Sequence, residues 1–159
     1  MSELLEERVV RLLLEKGYRI SFAESCTGGL CSARLVSVAS ASSVFDAGVV
    51  TYANEAKIKY LGVRAETIER YGVVSEPVAG QMAEGVAKAQ NADVGVGVSG
   101  IAGPTGGTAT KPVGMVCFGF FVDGEVTTVT KQFGDLGRNV VREVATEFVY
   151  ETLVELLQK

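Results

Sequence analysis

The sequence predicts one three-layer α/β/α domain built on a mixed, mostly parallel sheet of about five strands. Three observations predict it. Apolar runs of strand length alternate with helical patterns through the first half of the chain, which requires parallel crossovers. Asp123-Gly124 then joins two strand-like runs, a strong hairpin signal that adds an antiparallel strand. Finally, the 159 residues contain no linker, repeat or low-complexity segment, so 1–159 reads as a single domain.

Each element has its own local reason. Ser2 is placed to cap a helix with Glu3 in its first turn; Leu5, Val9, Leu12 and Leu13 recur at helical spacing, and Gly17 can end it. Tyr18 to Glu24 reads as a strand with Ile20 and Phe22 on one face. Residues 25–29 form a turn before a helix from Leu30 to Val38, and 39–43 form a second turn. Phe45 to Tyr52 reads as a strand, followed by helices from Asn54 to Leu61 and from Ala65 to Tyr71. Ser75 with Pro77 behind it marks the next helix start, continued by Val78, Met82, Val86 and Ala89. Val94 to Val98 is a short apolar strand. Pro112 to Val122 and Glu125 to Phe133 are the hairpin arms. Arg138 to Leu157 is a long final helix with Val141, Val144, Ala145, Phe148, Val149 and Leu156 on one stripe.

Composition excludes several classes of function. Hydrophobic residues make up 47% and charged residues 21%, the balance of a soluble globular protein. No apolar run approaches the roughly 18 residues of a membrane span. The first sixteen residues carry Glu and Arg instead of a signal-peptide apolar core, so the expected location is the cytoplasm and no membrane partner is expected. A net charge of −4 without any Lys/Arg run argues against a nucleic-acid partner. Cys26, Cys31 and Cys117 form no CxxC pair, and there is no histidine to complete a zinc site. They read as reduced thiols. Cys26 alone has a polar, glycine-rich setting, where buried filler and nucleophile are both open readings. The absence of histidine also excludes a Ser-His-Asp triad, so proton transfer near neutrality needs a perturbed Lys, Glu, Asp, Tyr or Cys.

Three turns concentrate small polar residues: 25–29, 39–43 and 99–108. The last, Ser99-Gly-Ile-Ala-Gly-Pro-Thr-Gly-Gly-Thr108, follows an apolar strand, and its glycines allow positive φ and close approach of a ligand to main-chain N–H groups. The turn at 25–29 leads into a helix, whose N-terminus suits an anion; capping by Ser25 or Thr27 is the plainer reading, and it leaves the tandem Gly28-Gly29 unexplained. Gly95-Val-Gly-Val-Ser-Gly100 matches GxGxxG only formally, because two of its glycines lie inside the strand and no helix follows. No Gly-Lys-Ser/Thr motif occurs, and Ile101 stands where a nucleophile elbow needs glycine. Tyr52 ends a strand and Lys57 follows on a helix. Partial burial would make Lys57 a usable base for a turn serine, as in Ser–Lys hydrolases. Glu24 and Asp46 near strand ends could hold a divalent ion or pair with backbone N–H groups.

Ala23-Glu-Ser-Cys-Thr-Gly-Gly-Leu30, Gly48-Val-Val-Thr-Tyr-Ala-Asn-Glu-Ala-Lys57, Leu61-Gly-Val63, Gly72-Val-Val-Ser-Glu-Pro-Val78, the 99–108 loop and Lys111-Pro-Val-Gly114 together resemble the CinA C-terminal domain family, in order over nearly the whole chain. The resemblance is to the stand-alone form, since no room remains for the N-terminal domain of longer relatives. It implies a nicotinamide-nucleotide amidase, which hydrolyses nicotinamide mononucleotide to nicotinic acid mononucleotide and ammonia in pyridine-nucleotide recycling. It also implies no cofactor, no metal, and a homo-oligomer. Carried over by position, Ser42 is the nucleophile, with Tyr52 and Lys57 as catalytic partners; Ser43 and Ser25 remain alternatives. The family's Gly-Ser-Ser reads Ser40-Ala41-Ser42-Ser43 here, and its Gly-Asp-Arg appears as Gly134-Asp-Leu-Gly-Arg138. Ser25, Thr27, Gly28, Gly29, Ser99, Gly100, Gly103, Thr105, Gly106, Gly107, Arg138 and Arg142 are the expected substrate-binding residues. Two other classes stand beside the amidase: a nucleotide-binding regulatory module without turnover, and a metal-dependent nucleotide pyrophosphatase, which would need a carboxylate cluster.

Overall fold

The computed structural model describes residues 2–159. The elements are α1 (Leu5–Lys16), β1 (Ile20–Glu24), α2 (Leu30–Val36), a 3₁₀ turn (Ala41–Ser43), β2 (Val49–Val50), α3 (Asn54–Leu61), α4 (Ala65–Tyr71), α5 (Glu76–Ala89), β3 (Val94–Gly100), β4 (Met115–Val122), β5 (Glu125–Gln132) and α6 (Arg138–Leu157). The sheet order is β2-β1-β3-β4-β5. β1 pairs in parallel with β2 and β3, while β4 pairs antiparallel with β3 and β5. β4 is therefore the one strand running against the other four. The expected three-layer α/β/α fold with a mixed sheet is the fold observed.

The two faces of the sheet are packed differently, and the period-two alternation of strand side chains explains why. Ile20, Phe22, Val94, Val96, Val98, Val116, Phe118 and Phe120 all point to one side, where they form the larger core with α1, α2 and α6. The intervening residues are small: Ala23, Gly95, Gly97, Cys117 and Gly119. That second face receives α5, which lies so close that a Cβ at Gly97 would sit 2.3 Å from the Ala79 carbonyl oxygen, and one at Gly119 would sit 2.2 Å from the same atom. The first two glycines of the formal GxGxxG, Gly95 and Gly97, are thus helix-packing positions. α3 and α4 complete this layer beside α5, through Leu61, Val63 and Met82.

Several elements depart from expectation: β1 starts at Ile20, α2 ends at Val36 and β4 starts at Met115. Ser2 does not cap α1: Leu4 holds the N-cap position, and its amide donates to the Glu7 carboxylate at 3.0 Å. The strand expected from Phe45 to Tyr52 is reduced to two residues, because an extra residue interrupts its pairing with β1. Phe45 bridges Ile20, yet Val49 rather than Gly48 faces Ala23. Gly48 sits inside the irregularity, where a Cβ would meet the Ser32 hydroxyl at 2.5 Å. On α6, the inward face also includes Tyr150 and Leu153. The buried Tyr150 hydroxyl donates to the Cys31 carbonyl at 2.6 Å, which makes a polar ring usable in the core.

The close approach of α5 gives a direct test. Gly97→Ala forces backbone separation rather than a rotamer change, and should cost about 3 kcal/mol, read as a lower urea midpoint with an unchanged m-value.

Candidate active site

At the C-terminal ends of β1 and β3, where open α/β sheets place ligands, lies a cleft of about 460 Å³. Its floor is Ser25, directly after β1, and Lys57, from α3. Lys57 is 1% exposed, unusual for a lysine. Its Nζ lies 3.1 Å from Ser25 Oγ, 2.7 Å from the Thr51 carbonyl oxygen and 3.1 Å from the Tyr52 carbonyl oxygen. Among the described residues, no carboxylate pairs with it. Burial therefore dominates and pulls its pKa below the ordinary lysine value of 10.5. When the amine is neutral, its two N–H groups satisfy the two carbonyls, and its lone pair is left facing the Ser25 hydroxyl. That is the geometry of a base beside a nucleophile.

Glu24 holds the Ser25 loop in shape. Its fully buried carboxylate accepts from Thr27 Oγ1 (2.7 Å), the amides of Gly29 (3.1 Å), Cys31 (2.9 Å) and Ser32 (3.0 Å), and Ser32 Oγ (2.8 Å). The anion at the start of α2 is thus the protein's own side chain, which corrects the expectation that this turn receives a substrate anion. The tandem glycines now have a reason: both take positive φ, 56° at Gly28 and 106° at Gly29, to bring the loop around Glu24. Arg142 closes the other side, donating from Nε to the Cys26 carbonyl at 2.9 Å and from Nη2 to the Thr27 carbonyl at 3.2 Å. Cys26 is buried, and desolvation pushes its thiol up to about 11, so at neutral pH it is an inert thiol.

The charged lining of the cleft is Lys57, Lys111 and Arg138, with no acidic residue among them. In a chain of net charge −4 this is a local inversion of sign, suited to an anionic ligand. Arg138, at the first turn of α6, donates to the Gly103 carbonyl at 2.7 Å and to the Tyr52 hydroxyl at 2.9 Å, and so ties the glycine-rich loop to the opposite wall. Lys111 donates to the Tyr71 carbonyl. Thr105, Thr108 and Asn54 add polar groups, and Val73, Val74 and Ile101 an apolar wall. Ser99 lines the cleft, but its hydroxyl is committed to the Val73 carbonyl at 2.8 Å.

Of the residues assigned from sequence, Ser25, Tyr52, Lys57, Ser99, Gly100, Gly103, Thr105, Gly106 and Arg138 meet in this cleft. Thr27, Gly28, Gly29, Gly107 and Arg142 are not among its lining: the first three and Arg142 build the loop behind it, and Gly107 packs on Val113. Ser42 is the main correction. It is exposed in the 3₁₀ turn at the other end of the sheet, where Val44 accepts from the Ile20 amide and Ser43 from Arg19. The four steps along β1 from Ile20 to Glu24 separate the ends by roughly 13 Å. Neither Ser42 nor Ser43 can serve Lys57, and the serine that touches it is Ser25. The ring of Tyr52 is 61% exposed at the mouth, and it is this residue's main-chain oxygen that reaches Lys57. Asp46 pairs with Arg19 at the far end, so it forms no joint site with Glu24. Sequence reasoning missed Lys111 and Asn54 as lining residues, although both stand inside the motifs quoted above.

Comparison with known proteins agrees with this architecture. The model of the CinA C-terminal domain family matches residues 2–157. A CinA-like protein of Kosmotoga olearia is 49% identical over 150 residues, 94% of this chain but 36% of its own length. The chain thus spans about a third of the length of the curated relatives it matches. The crystal structure of a competence-damaged protein (CinA) superfamily protein from Klebsiella pneumoniae superposes with a TM-score of 0.93 at 38% identity, covering 97% of this chain and 96% of that one. The competence/damage inducible protein CihA of Agrobacterium tumefaciens gives 0.90 at 40% identity, with full coverage of both chains. Among the described residues, no helix is long and apolar enough to cross a membrane.

The buried amine makes stability depend on pH with a definite sign. Between Lys57's lowered pKa and 10.5, the unfolded chain binds a proton that the folded chain does not, so Lys57's contribution to stability rises with pH across that window. Urea midpoints measured at increasing pH should show this rise in the wild type relative to Lys57→Met, and the difference should level off above 10.5.

Proposed function

The chain belongs to the CinA C-terminal domain family, and from that premise we propose that it is an amide hydrolase releasing ammonia from nicotinamide mononucleotide. The observation that carries this reading is the contact between Ser25 Oγ and the buried, acid-free Lys57 Nζ, set in a cleft whose charged residues are all cationic. The cleft volume is in the range of small-ligand sites, roughly 300–1,000 Å³. It is apolar on the Val73–Val74 side, where a pyridine ring fits, and cationic at Lys111 and Arg138, where a phosphate fits.

The steps follow from the groups present. Neutral Lys57 takes the proton of the Ser25 hydroxyl as Oγ adds to the carboxamide carbon. The Lys57 ammonium then gives that proton to the departing nitrogen, the C–N bond breaks, and ammonia leaves an ester on Ser25. Water, losing its proton to Lys57, attacks the ester. Breakdown of that second tetrahedral species frees nicotinic acid mononucleotide, and Ser25 Oγ takes back the proton from Lys57. No histidine is needed, which suits a sequence that has none.

Ammonia and nicotinic acid mononucleotide measured after incubation with nicotinamide mononucleotide test the reading. Ser25→Ala and Lys57→Ala should each lower kcat by about a thousandfold, while Ser42→Ala stays near the wild-type rate. Substrate binding without ammonia from the wild type would overturn it in favour of a binding module. Arg138→Ala should raise KM for the mononucleotide by about ten- to a hundredfold through loss of a charge-assisted contact, yet leave KM for the phosphate-free riboside unchanged.

A further inference from the structure

We propose that the main-chain amide of Cys26 is a donor of the oxyanion site of this reaction, and that Arg142 is the positioning residue that holds the loop carrying it. The inference rests on the amide-hydrolase reading and adds a group that would stabilise its tetrahedral intermediate. In a trans peptide the N–H points opposite to the carbonyl of the preceding residue. The Ser25 carbonyl accepts from the Gly28 amide at 3.0 Å, so the Cys26 N–H points out of that turn. The Cys26 carbonyl accepts from Arg142 Nε at 2.9 Å, which anchors the same residue from its other side. The Cys26 amide has no acceptor among the described residues, although the residue is only 6% exposed. An amide without a partner on a buried residue is rare in folded proteins and demands a reason. Cys26 directly follows the proposed nucleophile and lines the cleft. The amide after a nucleophile is where acyl-transfer sites bind the developing oxyanion.

Each Arg142 nitrogen is engaged within the protein: Nε and Nη2 hold the two loop carbonyls, and Nη1 donates to Asn139 Oδ1 at 3.0 Å. The loop is shaped to receive it, since a Cβ at Gly28 would come 3.1 Å from Arg142 Nη2. As Ser25 Oγ adds to the carboxamide carbon, the carbonyl electron pair moves onto oxygen, and the Cys26 amide donates to it. When that pair returns, the C–N bond breaks and ammonia leaves with the proton carried by Lys57. The amide itself exchanges no proton or electron.

The test compares wild type, Arg142→Ala and Arg142→Lys. With nicotinamide mononucleotide, kcat should fall about a hundredfold in Arg142→Ala, while KM changes by less than about twofold. Millimolar methylguanidinium should restore turnover of Arg142→Ala, and urea at the same concentration should not. Arg142→Lys, which keeps a cation against the same carbonyls, should fold and lie between the two. Pyridine-3-boronic acid, which forms a tetrahedral adduct on a serine oxygen, should lose affinity in parallel with kcat, whereas the planar product nicotinic acid mononucleotide should not. A rise in KM with kcat unchanged, or boronate affinity indifferent to Arg142, would overturn the inference while leaving the amidase standing. Arg142-dependent boronate binding by a wild type that releases no ammonia from the mononucleotide would uphold the oxyanion site and overturn the substrate. A wild type that neither hydrolyses the mononucleotide nor binds the boronate would overturn both.

Discussion

The Glu24 carboxylate is the constraint on which the site depends. A buried carboxylate is stable only if its oxygens are fully hydrogen-bonded, and the segment from Thr27 to Ser32 supplies all five donors. Meeting that demand bends the chain sharply after β1, which requires the positive φ of Gly28 and Gly29. The bend sets Ser25 at the end of the strand, with its amide bonded to the Val98 carbonyl of β3. The nucleophile candidate is therefore fixed by the sheet on one side and by the carboxylate on the other. Catalytic groups need such fixing, because a loosely held serine would spend most of its time out of reach of its base.

Lys57 is fixed by a different route. α3 follows directly from β2, and the carbonyls of Thr51 and Tyr52 at the strand end are unpaired by the sheet. They turn the amine inward toward Ser25. The absence of a carboxylate partner lets burial lower the pKa of the amine, and a partner there would have done the opposite. The carboxylate nearest in sequence to Ser25 is Glu24, and its oxygens face the loop amides. The same fold thus stabilises one buried acid with N–H groups and one buried amine with carbonyls, and the two do not neutralise each other.

Much of this was legible in the sequence, and the unequal success has physical causes. The helices α3, α4, α5 and α6 are foreseen to within a residue, because their caps and periodicity are local properties. Lys57 and Tyr52 were assigned to the site by the family resemblance, since helical spacing does not show which way a lysine faces. β2 was not legible, because the extra residue near Gly48 is an effect of packing against Phe22 and Ser32 on other elements. The glycines at 95 and 97 match a ligand-binding pattern only formally, and α5 occupies their face. Glycine serves close approach of a ligand or of a helix equally well, and only the partner distinguishes the two.

The choice between Ser42 and Ser25 turns on a rule that chain order alone contains. In a parallel sheet, turns that follow strands gather at one end, and turns that precede strands gather at the other. Ser25 follows β1, Lys57 follows β2, and the glycine-rich loop follows β3; Ser42 precedes β2. Serine and lysine flanking the same strand on opposite sides are held apart by the length of that stretch, however well their spacing suits a motif. The crossover brings the residues after successive strands together instead, across 32 positions of sequence in the case of Ser25 and Lys57. The catalytic pairing is therefore a consequence of parallel topology: once the first two strands are parallel neighbours, a serine after the first can meet a lysine after the second, and a serine before the second cannot.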